Sequence, residues 1–182
     1  MKYRGSPDFD HSQTPHTGVL VTNLGTPEAP SKAALRPYLK QFLSDPRVVE
    51  VPRLLWWLIL NGIILNVRPA RSAEAYSTVW TEEGSPLLFH TRDQAHGIEE
   101  RLHQRFGERV VVDFAMRYGN PSISSGIQRL VNQGVRQLLV LPLYPQYSGP
   151  TGGSTFDAVA EDFRKRRWLP DFQFVASYHD QP

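Results

Sequence analysis

LLVLPLYPQYSGPTGGST, residues 138–155, decides how the rest of the chain is read. Leu138 to Leu141 is an apolar run with the composition of a strand buried on both faces. It breaks into Pro142, Tyr144, Pro145, Gln146, Tyr147 and Ser148, and a helix becomes feasible only past Gly152 and Gly153. In an α/β domain a strand that ends this way brings its polar side chains to the carboxyl edge of the sheet, where ligands bind. A plain strand-to-helix link needs only about two to six turn residues. This one is longer, stiffened by two prolines and aromatic, which marks it as a ligand-facing wall.

Working outward, Gly18–Leu24 reads as a first strand that ends in Gly25, Thr26 and Pro27. It has neither the GxGxxG spacing of a dinucleotide site nor a phosphate-binding lysine loop. Ser31 is an N-cap for a helix bearing Leu35, Tyr38, Leu39 and Phe42, and Asp45, Pro46 and Arg47 form a turn. Pro52 opens a second helix, RLLWWLILNGIILN. Its adjacent Trp56 and Trp57 point about 100° apart, so one buried face does not hide both. Part of this helix is either core or faces a cavity, a partner or a lipid interface. Arg68, Pro69 and Arg71 precede a short helix from Ser72. Gly84–Pro86 is a break, and Leu87–Phe106 is a long amphipathic helix. Arg109–Met116 is the second strand, Ile123–Asn132 a helix, Ser154–Arg167 a helix, and Phe172–Ser177 a fourth strand.

Strands alternating with helices predict an α/β fold, a Rossmann-like parallel sheet with helices on both faces. Three strand ends then converge on one rim: Asn23–Thr26, Arg117–Asn120 and Tyr144–Ser148. Aromatic groups with one arginine suit a large, flat, partly apolar ligand carrying carboxylates.

Composition narrows the alternatives. The 182 residues carry a net charge of +2, with basic residues scattered apart from Arg164–Arg167, so no nucleic-acid partner is expected. That cluster reads as a solvated helix end. The absence of cysteine excludes disulfides, thiolate metal sites and an iron–sulfur cluster within this sequence. The polar opening has no signal-peptide pattern and no apolar run is long enough to span a membrane, so a cytoplasmic location is expected. His11 and His16 lie in a loose polar leader, and His96 and His103 fall seven apart on a helix; all four read as solvated histidines.

GVLVTNLGTPE, RPARSAEAYSTVW with the EEGSPL that follows, FAMRYGNPSI and LPLYPQYSGPTGGST resemble, in that order, the motifs of the ferrochelatases. The likeness runs over residues 17–182. It implies insertion of ferrous iron into protoporphyrin IX to form protohaem by a protein of two Rossmann-like halves, with no prosthetic group. Residues 1–16, polar and rich in turn formers, read as a flexible leader; the likeness implies a first chelatase-like domain at 17–145 and, at 146–182, the start of a second half, cut near Pro182. By motif, Leu24 stacks near the porphyrin, while Arg68, Ser85, Arg117 and Tyr118 line the cleft or its polar rim. Tyr144 lies near the centre of the macrocycle. The stretch 52–66 occupies the position of the family's apolar lip, which implies peripheral contact with the inner face of the cell membrane. Ser177-Tyr178-His179 imitates the family's catalytic histidine motif but comes one helix and one strand too early. The catalytic histidine and its glutamate are therefore expected beyond Pro182, no catalytic residue is assigned, and the metal ligands stay unknown. The sequence leaves two alternatives, a cobalt or other tetrapyrrole chelatase and a non-catalytic porphyrin or haem binder.

Overall fold

The computed structural model describes residues 3–5, 12 and 14–181. Four parallel strands form one sheet in the order β2-β1-β3-β4: β1 His16–Gly25, β2 Val110–Tyr118, β3 Val135–Pro142 and β4 Asp171–Phe174. The period-two alternation of β1 sorts its side chains to opposite faces. Val19 and Val21 pack on helix α4, Pro86–Phe106, through Ala95, while Leu20 points to the other face. There it meets Ile127 and Leu130 of α5, Ile123–Asn132, and a core shared with Val159 of α6, Ser154–Phe163. Helix, sheet and helix make the three layers of a chelatase-like, Rossmann-type domain.

A second core lies beyond the carboxyl ends of the strands. It joins α1, Lys32–Leu43, to a helical stretch built from α2, Arg53–Ile59, a π turn at Leu60–Ile64, and α3, Leu65–Ser77. Leu35, Tyr38, Leu39 and Leu43 pack there on Leu60, Leu65, Ala73 and Tyr118.

Several elements differ from the sequence-based expectation. The break expected at Pro69 is absent, and the helix runs through it. Proline lacks the N–H that would bond the carbonyl four residues back. Arg36 supplies the missing donor, its Nη1 lying 2.8 Å from the Leu65 oxygen. β2 continues past Met116, so Arg117 and Tyr118 belong to the strand itself. α6 ends at Phe163 rather than Arg167, and the expectation of a solvated basic cluster fails at Arg166. Its side chain is 4% exposed and paired with Asp162 at 2.5 Å, and Arg4 binds the same carboxylate. His16 begins β1 and its Nδ1 lies 2.7 Å from the Gln133 oxygen, whereas His11 and Pro182 fall outside the described residues. Residues 146–181 contribute β4 to the same sheet, with Phe172 and Phe174 in register with Leu138 and Val140, and α6 to the helical layer packed on it.

Candidate functional site at the carboxyl edge of the sheet

The connection leaving β1 runs to β2 on one side, whereas that leaving β3 runs to β4 on the other. Such a divergence between neighbouring strands is where open α/β sheets hold ligands. Here the adjacent ends carry Leu24 and Tyr144, and an aromatic wall from the second core faces them. Tyr38 stacks on Phe42 at 6.4 Å and meets Tyr76 edge-on at 6.3 Å. Phe42 meets the Tyr118 ring at 5.1 Å, and Tyr76 meets Trp80 at 6.4 Å.

The hydroxyls of Tyr38, Tyr118 and Tyr144 are kept protonated. Burial raises the Tyr38 and Tyr144 pKa values well above the ordinary phenol, with neighbouring tyrosines adding to the effect. Burial likewise pushes Tyr118 up to about 12. Tyr38 donates to the Gly25 carbonyl at 3.1 Å. The Tyr144 hydroxyl is buried without a hydrogen-bond partner, a state that costs free energy until a ligand or water satisfies it.

Behind the wall lies a polar knot that the sequence reading missed. The Asp45 carboxylate, on a residue only 5% exposed, accepts from Arg117 Nη2 at 2.6 Å, Tyr118 Oη at 2.8 Å and Ser154 Oγ at 2.5 Å. The Arg47 amide donates to its other oxygen at 2.8 Å. Burial acts to raise this carboxyl, but hydrogen bonds from Ser154, the Arg47 amide and Tyr118, with the Arg117 charge, hold it below its ordinary value. Arg117 also donates from Nε to the Ser154 carbonyl at 2.8 Å and lies 4.5 Å over the Tyr118 ring. A groove of about 690 Å³ opens on this knot from the side of Gln41, Ser122 and Glu161. The available signal was an acid in a tight turn directly after the buried Leu43, but on sequence alone Asp45 reads only as a turn former.

The expected porphyrin-lining residues separate into groups. Leu24 is half-buried against the core that contains Tyr118, and Tyr144 lies close enough to Tyr118 to shift its own pKa. Arg117 reaches the carboxyl edge, but its charge is balanced internally by Asp45. Ser85 is buried at the N-terminus of α4, where its carbonyl accepts from Leu88 and Phe89, and Arg68 is exposed on α3. Trp56 turns inward, its Nε1 donating to the Leu43 carbonyl at 2.6 Å, while Trp57 is 60% exposed. Leu54, Leu55, Leu58, Ile63 and Val67 join Trp57 in an exposed apolar strip. His179 is exposed, and among the described residues no group of three His, Cys, Asp or Glu side chains is placed to hold a metal ion.

A family model described as "Ferrochelatase" matches residues 16–182. Among curated relatives, the ferrochelatase of Idiomarina loihiensis is 69% identical over 180 residues, covering 99% of this chain and 50% of that protein. That of Teredinibacter turnerae is 66% identical over 182 residues, covering 100% and 50%, and that of Pseudoalteromonas atlantica 64% identical over 180 residues, covering 99% and 50%. The chain therefore spans about half the length of the curated relatives it matches.

Proposed function

This chain belongs to the ferrochelatase family, and from that premise we propose that it supplies one wall of a porphyrin cleft in a protein that inserts ferrous iron into protoporphyrin IX. The observation that carries this reading is the aromatic wall at the strand divergence, with the buried and unpartnered Tyr144 hydroxyl set into it. Flat rings and aliphatic groups offer stacking area to a macrocycle. Leu24 and Tyr144, both half-buried, are the inner contacts; Tyr118 is fully buried and backs them from within the core, and Ser85, 5% exposed, supports the rim from beneath. Because Arg117 is already paired with Asp45, the porphyrin carboxylates fall to Arg68, which is exposed and free to form a bidentate fork.

Metalation also requires a group to take the two pyrrole protons. Tyr38, Tyr118 and Tyr144 are held protonated and the Asp45 carboxylate is committed to four donors. This wall can hold and bend the ring but has no base ready to deprotonate it, so we place the proton acceptor in the part of the relatives' length that this chain does not span.

We propose that the exposed strip of α2 and α3 is a lipid-facing lip, a reading that fits a cytoplasmic protein resting against the inner face of the membrane. No helix among the described residues is long and apolar enough to cross a bilayer.

The test is an anaerobic titration of the purified chain with protoporphyrin IX, followed by ferrous iron. The expected result is a Soret shift on binding and no metalation. Iron insertion at the rate of a full-length relative would overturn the division of labour, and no Soret change would overturn the cleft assignment.

A further inference from the structure

Tyr144 sits near the head of an eleven-residue connection, Leu143–Gly153, between β3 and α6. A loop of that length orders a ligand contact poorly unless something fixes it, and two anchors here come from one distant turn. Asp45 receives the Ser154 hydroxyl at 2.5 Å, just where the connection enters α6. Two residues on, Arg47 binds Asp157 in a fork, with Nε at 2.5 Å and Nη2 at 3.0 Å. The same guanidinium lies over Gly153: a Cβ added there would come within 3.0 Å of both Arg47 Nη1 and the Tyr147 hydroxyl. The loop's other end is held by the Leu143 amide, which bonds the Thr22 carbonyl of β1 at 2.8 Å. Asp45 also holds Tyr118, which ends β2 on one side of β1, while Tyr144 follows the end of β3 on the other side.

We infer that the Asp45–Arg47 turn is the positioning device of the crevice, fixing through Ser154 and Asp157 the loop that carries Tyr144 and through Asp45 the Tyr118 ring. This inference rests on the porphyrin reading above. The turn sets the separation of the two tyrosines and, through it, the fit and distortion of a bound macrocycle. A catalytic role is not required, because Asp45 acts only through its neighbours.

The experiment compares the chain with its Asp45→Asn and Ser154→Ala variants, with Arg92→Ala on the exposed side of α4 as control. Hydrogen exchange over residues 143–153 without ligand reads the anchoring. Protoporphyrin IX affinity and the out-of-plane resonance Raman bands of the bound porphyrin read its consequence. All are measured where far-UV circular dichroism shows the variants folded, and Ser154→Ala carries the test if Asp45→Asn unfolds. Loop exchange about tenfold faster, affinity about tenfold weaker and altered out-of-plane bands are expected, since small displacements of positioning groups are amplified at the ligand. Unchanged loop exchange, or faster exchange with unchanged affinity and bands, would overturn the inference. If the parent chain binds no porphyrin, the cleft reading falls and this inference with it, whereas the exchange data separately show whether the turn anchors the loop.

Discussion

Asp45 concentrates the electrostatics of the carboxyl edge in one side chain. Its removal strands a guanidinium that is 16% exposed, together with the two hydroxyls that donate to it. Breaking a buried charge pair from one side costs about 3 kcal/mol. Asp45→Asn is therefore expected to lower the unfolding free energy obtained from urea titration at pH 7 by that amount. The carboxyl is held below its ordinary value in the folded chain, so its stabilisation is complete above the unfolded pKa of about 4 and is lost as pH falls through the lower folded value. The gap between parent and Asp45→Asn should close on acidification below about pH 4; a gap that persists at pH 2 would show that the effect is not this ionisation. Gly25 is the second decisive residue. It pairs with Tyr118 in register, has φ 109°, and a Cβ there would lie 1.8 Å from the Tyr118 oxygen. Gly25→Ala should cost about 3 kcal/mol by overpacking and backbone strain, read as a drop in the thermal midpoint. The glycine and the aromatic identity of Tyr118 and Tyr144 were legible in the sequence. The pairing of Arg117 with Asp45 was not, because seventy-two positions separate two residues that each suit a solvent-facing role.

At the scale of elements, the helical stretch from Arg53 to Ser77 shows where local rules and tertiary context part. Local reading stops a helix at Pro69, yet the chain continues because Arg36 occupies the orphaned carbonyl from a different helix. The paired tryptophans were correctly read as divergent, since the helical period sends adjacent residues to different faces. Trp56 closes the core and Trp57 stays out, beside Leu54 at 76% exposure and Val67 at 70%. An apolar strip of that kind calls for a partner surface. Replacing Leu54, Trp57 and Ile63 together with serine should reduce sedimentation with lipid vesicles at least about tenfold while leaving the circular dichroism spectrum unchanged. Equal sedimentation of parent and variant would remove the lipid-facing assignment.

For the molecule as a whole, the sheet binds the final third of the chain to the first. Val159, Phe163, Phe172 and Phe174 pack on the core that holds Leu20, Leu138 and Val140. A chain ended at residue 145 would uncover that face of β3, and it is expected to lose the cooperative thermal transition of the parent and to aggregate. A sharp transition from that shorter chain would show that residues 146–182 fold apart from the sheet. Sequence alone determined which strands and helices occur, their parallel arrangement and the strand ends that share one rim, because these are written in local periodicity and in proline and glycine placement; the helix through Pro69 and the ends of β2 and α6 were not among them. Tertiary structure alone decided which of the polar groups singled out in the sequence are paired. Arg68 remains exposed while Arg117 is neutralised, and Tyr144 lacks a partner while Tyr38 and Tyr118 have theirs. A charge or hydroxyl is assigned by whichever group lies within hydrogen-bond reach after folding, and that distance is fixed by packing between elements remote in sequence.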